Sequence, residues 1–352
     1  DALPICMQVI QKNIKDPKEI ELALLEFKNK NIQMIMAFGG PLFFEPSVLP
    51  ALLNQHLPNV ASIGCSTAGE IDHRGIYENH LILCGVCWDH TRVFAAAAPI
   101  GASEKQSAEI IGKELLSKGK DLKAVLLLAP GLNIHGNDLL MEIRRQLGTK
   151  PVISGGNAGD NGQFKKTFTL ANGKVDVGVV ALGLYGEKLV HSTGSRGGWQ
   201  PFGPVRRVTK SEGNIIYELD GKPAMELYSN YISQHAKDKA AFSLMFPFAV
   251  LNKNEDQTGL IRAIQMVDEK KGALTLAGDI NEGALVRLMH ANNSQLVEGA
   301  RQAAVQALEP QSKSNGLSLV ISCVARKFVM GDAIEEEVDA AYEVLRSIPG
   351  FI

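Results

Sequence analysis

Two nearly unbroken apolar runs, Ile32 to Phe38 and Val60 to Cys65, constrain the fold most. Strands without polar alternation are buried on both faces. Pro46 to Leu57, between them, reads as a helix, and a strand–helix–strand of this length favours parallel pairing. Both runs end on small residues: Gly39-Gly40-Pro41 after the first, and Ile63-Gly64-Cys65-Ser66-Thr67-Ala68-Gly69-Glu70-Ile71 across the end of the second. Small residues there imply close backbone approach, to another segment or to a ligand. Glu70 closes the stretch and needs partners, because a buried unpaired charge is costly.

The same grammar recurs. An amphipathic helix capped at Asp16-Pro17 precedes the first run. Leu81 to Trp88 and Arg92 to Ala98 read as a hairpin turning at Asp89-His90. A helix over Ser103 to Leu116, a strand over Ala124 to Leu128, a helix from Asn137 (as N-cap) to Leu147 and a short strand Val152 to Ser154 lead into Gly155-Gly156-Asn157-Ala158-Gly159-Asp160. A β-rich stretch follows. Lys166 to Leu170 and Val175 to Leu184 flank Asn172-Gly173, the strongest short hairpin signal, and strands are expected at Leu189 to Thr193, Val205 to Thr209 and Ile215 to Glu218. After Asp220-Gly221-Lys222-Pro223 we expect a helix at Ala224 to Ile232, and strands at Ala241 to Phe246, Ile261 to Val267, Ala273 to Leu276 and Leu317 to Val324. Helices at Asn293 to Leu308 and Glu335 to Ile348 complete the reading. The expected class is mixed α/β, with domains at 1–220 and 221–352. The strand–helix–proline order of 32–58 is echoed near the end, so we expect two related halves and a C-terminus that is truncated or untraced.

A net charge of −2 gives no basic excess for nucleic acid or an anionic membrane. No apolar run approaches the ~18–20 residues of a membrane helix. No signal peptide opens the sequence, and the five cysteines sit in apolar contexts, so the expected compartment is cytoplasmic.

Candidate chemistry is sparse. Cys84 and Cys87 share a C-x-x-C spacing inside one strand, where residues three apart point to opposite faces, so both read as structural thiols. Cys65 and Ser66 end a strand without the G-x-S-x-G elbow, which leaves an enzyme using either as a lesser alternative. Gly155 to Asp160 lacks the Lys-Ser/Thr ending of a phosphate loop and reads either as a tight connection or as a wall of amides with Asn157 and Asp160 facing a small ligand. No H-x-x-x-H pair writes a zinc site. His191 and His290 adjoin apolar residues and are the two candidates for an axial metal ligand, the alternative being hydrogen-bonded core histidines. Arg196, among glycines beside Trp199, suits a carboxylate or a propionate. His56, His73 and His80 read as solvated.

Several stretches, in order, carry a family resemblance: Ile63 to Ile71, Gly155 to Asp160, Trp199 to Pro204, Val208 to Ala224, Gly278 to Gly283 and Ser322-Cys323-Val324-Ala325-Arg326. Together they resemble the N- and C-terminal FIST domains over nearly the whole chain. The resemblance implies a sensor rather than an enzyme. It points in particular to the free-standing bacterial branch that binds haem b, senses nitric oxide and regulates a partner histidine kinase or cyclic-di-GMP enzyme. On that reading His191 or His290 holds iron, and Arg196, Trp199, Asn157, Asp160, Cys65 and Glu70 line the ligand site. The alternative within the family is a haem-free sensor of an amino acid or similar metabolite.

Overall fold

The computed structural model describes residues 7–45, 48–232, 244–308, 316–348 and 350–352. It is mixed α/β and divides into two compact units. The first holds residues 1–195, 301–322 and 338–352, the second 196–300 and 323–337.

The first unit is built twice from one plan. Its first copy runs β1 (Met7–Ile14), α1 (Ile20–Asn29), β2 (Met34–Gly39), α2 (Val48–His56), β3 (Ala61–Ser66), a small hairpin β4 (Glu70–Asp72) and β5 (Gly75–Tyr77), then β6 (Leu81–Trp88). Its second runs β7 (Arg92–Ala97), α3 (Glu104–Ser117), β8 (Leu122–Ala129), α4 (Gly136–Leu147), β9 (Val152–Asn157), a hairpin β10 (Thr169–Ala171) and β11 (Lys174–Val175), then β12 (Val180–Tyr185). The sheets repeat the order β1-β6-β2-β3 as β7-β12-β8-β9, with β2–β3 and β8–β9 the parallel pairs. The sheets differ in one respect: β10 and β11 extend the first beyond β3.

Alternation along the strands explains the layering. Ile35 and Ala37 pack under α1 and α2 with Leu24, Phe27, Leu49 and Leu53. Met34 and Met36 face the other sheet, meeting Leu126, Leu128, Val180 and Leu182. Val125 and Leu127 turn outward beneath Ile111, Leu115, Leu139 and Ile143 of α3 and α4. The order is therefore helix, sheet, sheet, helix, and each central strand is covered on both faces, as the apolar runs required. A short parallel pair, Leu317–Ser318 with Gly350–Phe351, belongs to the same unit, and Ile352 enters the core between the sheets.

The second unit is one antiparallel sheet. Its strands are β13 (Gln200–Glu212), β14 (Ile215–Leu219), β15 (Lys222–Pro223), β16 (Phe248–Leu251), β17 (Gln257–Arg262), β18 (Ile264–Asp268), β19 (Ala273–Leu276) and β20 (Leu285–His290), in the order β17-β16-β20-β13-β14-β19-β18, with β15 on β14. Helix α5 (Ala224–Ile232) covers one face, burying Ala224 and Tyr228 against Val208, Ile216 and Phe248. Further helices are α6 (Asn293–Leu308), α7 (Val324–Met330) and α8 (Glu335–Leu345); the boundaries between the units fall inside α6 and α8.

Five expectations are corrected. Leu81 to Trp88 and Arg92 to Ala98 form no hairpin: β6 has β1 and β2 on its two edges, so β7 starts the other sheet. Leu189 to Thr193 is irregular, and strand structure near Leu317 ends at Ser318, with Val324 opening α7. His135, not Asn137, is the N-cap of α4. The expected strand Ala241 to Phe246 lies mostly outside the described residues; its described end, Leu244 to Phe246, is a turn. The Asn172-Gly173 turn is present, both residues having positive φ, as a two-residue hairpin of the primed kind requires.

Candidate ligand site

The glycine motifs come together where the two parallel pairs of the first unit end. A Cβ at Gly64 would run into the Ala37 carbonyl, and one at Gly155 into that of Leu127, so the same close approach is used in both copies. Thr67 N donates to Gly39 O and Ala158 N to Ala129 O, each 2.8–2.9 Å, closing each pair in the same way. The two ends are then stitched: Gly159 N donates to Ser66 O at 2.8 Å and Asn161 N to Thr67 O at 3.2 Å. A Cβ on Gly159 would lie 2.8 Å from Ala68 N, so only glycine fits this crossing.

The polar side chains here are spent on the fold. Ser66, with no exposed surface, donates through Oγ to Gly159 O (2.6 Å) and accepts from Phe168 N (2.8 Å). Glu70, 1% exposed, accepts from Thr67 Oγ1 at 2.5 Å and His80 N at 3.0 Å. Asp160 accepts from the amides of Phe164 (2.9 Å), Lys165 (2.6 Å) and Lys166 (3.1 Å), and so clamps its own loop. Burial pushes the Cys65 thiol up to about 12, which removes the thiolate a nucleophile needs. Asn157 is the exposed member, at the end of β9.

Sequence reasoning missed the neighbouring cluster. Burial pushes the Asp72 carboxyl up, but hydrogen bonds from Asn13 Nδ2 (3.0 Å), the Arg74 guanidinium (3.0 Å) and the Arg74 amide (2.7 Å) outweigh it and hold it below its ordinary value. His80 is not a solvated histidine: its Nδ1 lies 2.6 Å from Asn13 Oδ1, and it stacks on Tyr77. His56 is likewise paired, 2.9 Å from Glu21. No sequence signal marked this cluster, since a charged residue following Ile71 in a short strand reads as solvated although Asp72 is buried.

The metal candidates fall in different units. His191, in the first, is half-buried, and burial lowers its pKa. Its Nδ1 is buried without a hydrogen-bond partner among the described residues. His290, in the second, ends β20 edge-on to Phe202, ring centroids 5.5 Å apart. Among the described residues no three His, Cys, Asp or Glu side chains converge as a metal site. Arg196 is exposed and has an interaction of its own, and Trp199 packs against Ala249, Leu251 and Met289.

The loop joining Arg196 to Trp199 is held by a residue that the sequence reading quoted but gave no role. Arg326 donates to Gly197 O (2.5 Å), Leu296 O (2.7 Å) and Glu337 Oε2 (2.9 Å). Both partners of the ion pair are buried, and all three acceptors satisfy a charge that would otherwise be expensive there.

Two hollows among the described residues bear on ligand binding. One, of about 10 Å³, room for about one water, lies in the second unit between α5 and the sheet, lined by Phe202, Pro204, Leu227, Tyr228, Phe248 and Leu288 together with Arg206. Asp220 Oδ2 accepts from Arg206 Nη1 at 3.0 Å. The other, about 360 Å³ and open, is bounded by Pro99 to Ala102, Gln106, Glu109 and Ile110 in the first unit. No histidine lines either of these two hollows.

The FIST N domain model matches residues 33–222, and the FIST C domain model matches residues 224–351. The chain belongs to the FIST family. FIST domains imply a sensory, small-ligand-binding role. The boundary between the two FIST matches falls at the start of α5. An uncharacterized protein of Methanocaldococcus jannaschii is 26% identical over 312 residues, which cover 81% of this chain and 58% of that protein. This FIST chain therefore spans little more than half the length of that relative. No helix among its described residues is long and apolar enough to cross a membrane.

Proposed function

We propose that this FIST protein senses a small amphipathic carboxylate, an amino acid or similar metabolite, in the second-unit hollow, and reports through a partner such as a histidine kinase or cyclic-di-GMP enzyme. The observation that carries this reading is the hollow's chemistry, a predominantly apolar lining that includes Arg206; with α5 in place it holds no more than about one water, so a ligand enters only as α5 moves. Binding sites for small molecules are mostly apolar and use few placed polar groups for orientation. The apolar wall would take a side chain, and Arg206 would hold the carboxylate. Leu227 and Tyr228 come from α5, so a ligand wedged there favours a conformation with α5 displaced, and a change in population rather than chemistry becomes the output. The test is calorimetric titration with a panel of amino acids and short carboxylates. Arg206→Gln should weaken the active compound roughly tenfold or more, the loss expected for one hydrogen bond to a charge. Equal binding by Arg206→Gln and by Leu288→Trp, which fills the hollow, would overturn the assignment.

A second reading keeps haem b with nitric oxide as the signal. The unpaired, buried Nδ1 of His191 favours it, because burial keeps the imidazole neutral, the form that binds iron. His191 would hold the group; His290 carries no comparable observation. Absorption spectra after haem supplementation test it: a Soret band lost in His191→Ala supports this reading, and a band indifferent to both His191→Ala and His290→Ala removes it.

A further inference from the structure

The two copies in the first unit differ at one edge. In the first sheet the outer edge of β3 is closed by β10, which pairs antiparallel, Thr169 with Cys65 and Ala171 with Ile63. In the second sheet the equivalent strand is β9, and the sheet ends there. The hairpin that stands in the matching place of the first copy, β4–β5, pairs only with itself. Among the described residues no strand or backbone hydrogen bond reaches the outer edge of Val152–Asn157.

Open edges are ordinarily guarded by charge, proline or a bulge. This one is not: Val152-Ile153-Ser154-Gly155-Gly156-Asn157 carries no charged residue and no proline, and Lys150 and Pro151 lie ahead of it. The flank is apolar as well. Leu139, Ile143 and Leu147 of α4 face the sheet. Gln146 and Arg145 face α3, and Arg144 Nη1 reaches Pro151 O at 2.8 Å, just before β9. That leaves Leu140, 46% exposed, on the side of α4 towards the open edge, with Met141, 64% exposed, turned to solvent; Val152, 38% exposed, is on the other face of β9, in register with Ala124.

We propose that β9 is a homodimer interface, at which a second copy of the chain pairs antiparallel through its own β9 about a two-fold axis and joins two four-stranded sheets into eight. Three features select a second copy. A two-fold axis sets each residue against its own strand, and an uncharged strand meets itself without like-charge repulsion. The equivalent edge at β3 already accepts an antiparallel strand. The same axis brings the two α4 helices onto one face of the joined sheet, so Leu140 meets Leu140.

The test is sedimentation velocity of the chain together with hydrogen exchange over 152–157 at low and high protein concentration. The expected result is a monomer–dimer equilibrium with β9 protection that rises with concentration. Leu140→Lys with Val152→Lys puts like charges across the seam and should weaken dimerisation roughly tenfold or more, with the circular dichroism spectrum unchanged. A monomer at every concentration overturns the proposal, and so does a dimer whose β9 amides still exchange freely. Protection of β9 only on adding an extended peptide assigns the edge to a different partner and overturns the second copy. Should the double variant fail to fold, the concentration dependence of β9 exchange in the unmodified chain decides alone.

Discussion

Ser66→Ala separates a structural serine from a reactive one. The hydroxyl makes two hydrogen bonds, to Gly159 O at 2.6 Å and from Phe168 N at 2.8 Å, in a site without solvent. Two ordinary bonds together contribute about 1–3 kcal/mol, and a buried amide left without its acceptor costs about 1–3 kcal/mol. The effects overlap, since losing the acceptor is part of losing the second bond, so the expected destabilisation is about 2–3 kcal/mol, roughly a 30- to 150-fold fall in the folded-to-unfolded ratio. The chain has two tryptophans; Trp88 lies in the first unit and Trp199 in the second. In a Trp199→Phe background, urea unfolding followed by fluorescence therefore reports the first unit alone. The midpoint should drop with the slope unchanged, because the exposed surface is the same. A loss below about 0.5 kcal/mol would mean that the hydroxyl does not join the two sheet ends, and the stitched arrangement of Ser66, Gly159 and Phe168 would be wrong.

Three further outcomes are expected. Arg326→Met leaves Glu337 buried without its cation and should cost about 3–5 kcal/mol, whereas Arg326→Met with Glu337→Leu should recover much of that; a denaturant double-mutant cycle reads the difference. Asp72 has a folded pKa below its ordinary 3.8, so it stabilises the fold above that value and the contribution is lost as pH falls through the folded value; stability curves for wild type and Asp72→Asn should diverge above it and converge in acid. His191 has a folded pKa below its ordinary 6.5, so the unfolded chain binds the extra proton and stability falls as pH drops below 6.5. Circular dichroism melts of His191→Leu should show a flatter acid limb.

The α/β class and the glycine motifs were legible because they depend on local rules. Apolar runs without alternation can only be doubly covered strands, and Ser103 with Gln106 forms the capping box that starts α3. A duplication was expected between 32–58 and the end of the chain, but the one present, within residues 7–185, was not legible. It lies in strand order, and Leu81 to Trp88 resembles a hairpin partner of Arg92 to Ala98 until the edges of β6 are known to be taken. Strand β1 was missed because Gln8, Gln11, Lys12 and Asn13 interrupt its apolar residues, as an edge strand permits. At the site, sequence identifies residues able to bind a ligand but not whether backbone amides already occupy them. Asp160 and Glu70 are such cases. Arg326 was hidden for a related reason: its acceptors lie 30 and 129 residues away, on Leu296 and Gly197.

The exchange of β10 has a consequence for how the chain is made. The first copy emerges from the ribosome with the edge of β3 uncovered, and the strand that seals it comes about a hundred residues later, Thr169 against Cys65. Ile352 fills the space between the sheets later still. Contacts this distant in sequence form slowly, because each must first close a long loop. An apolar β3 edge meanwhile stands open to the wrong strand, including another nascent chain's β3. Chaperone dependence and yield should therefore respond to substitutions in Thr169 to Ala171 beyond the loss that burial of all three in the finished fold already implies.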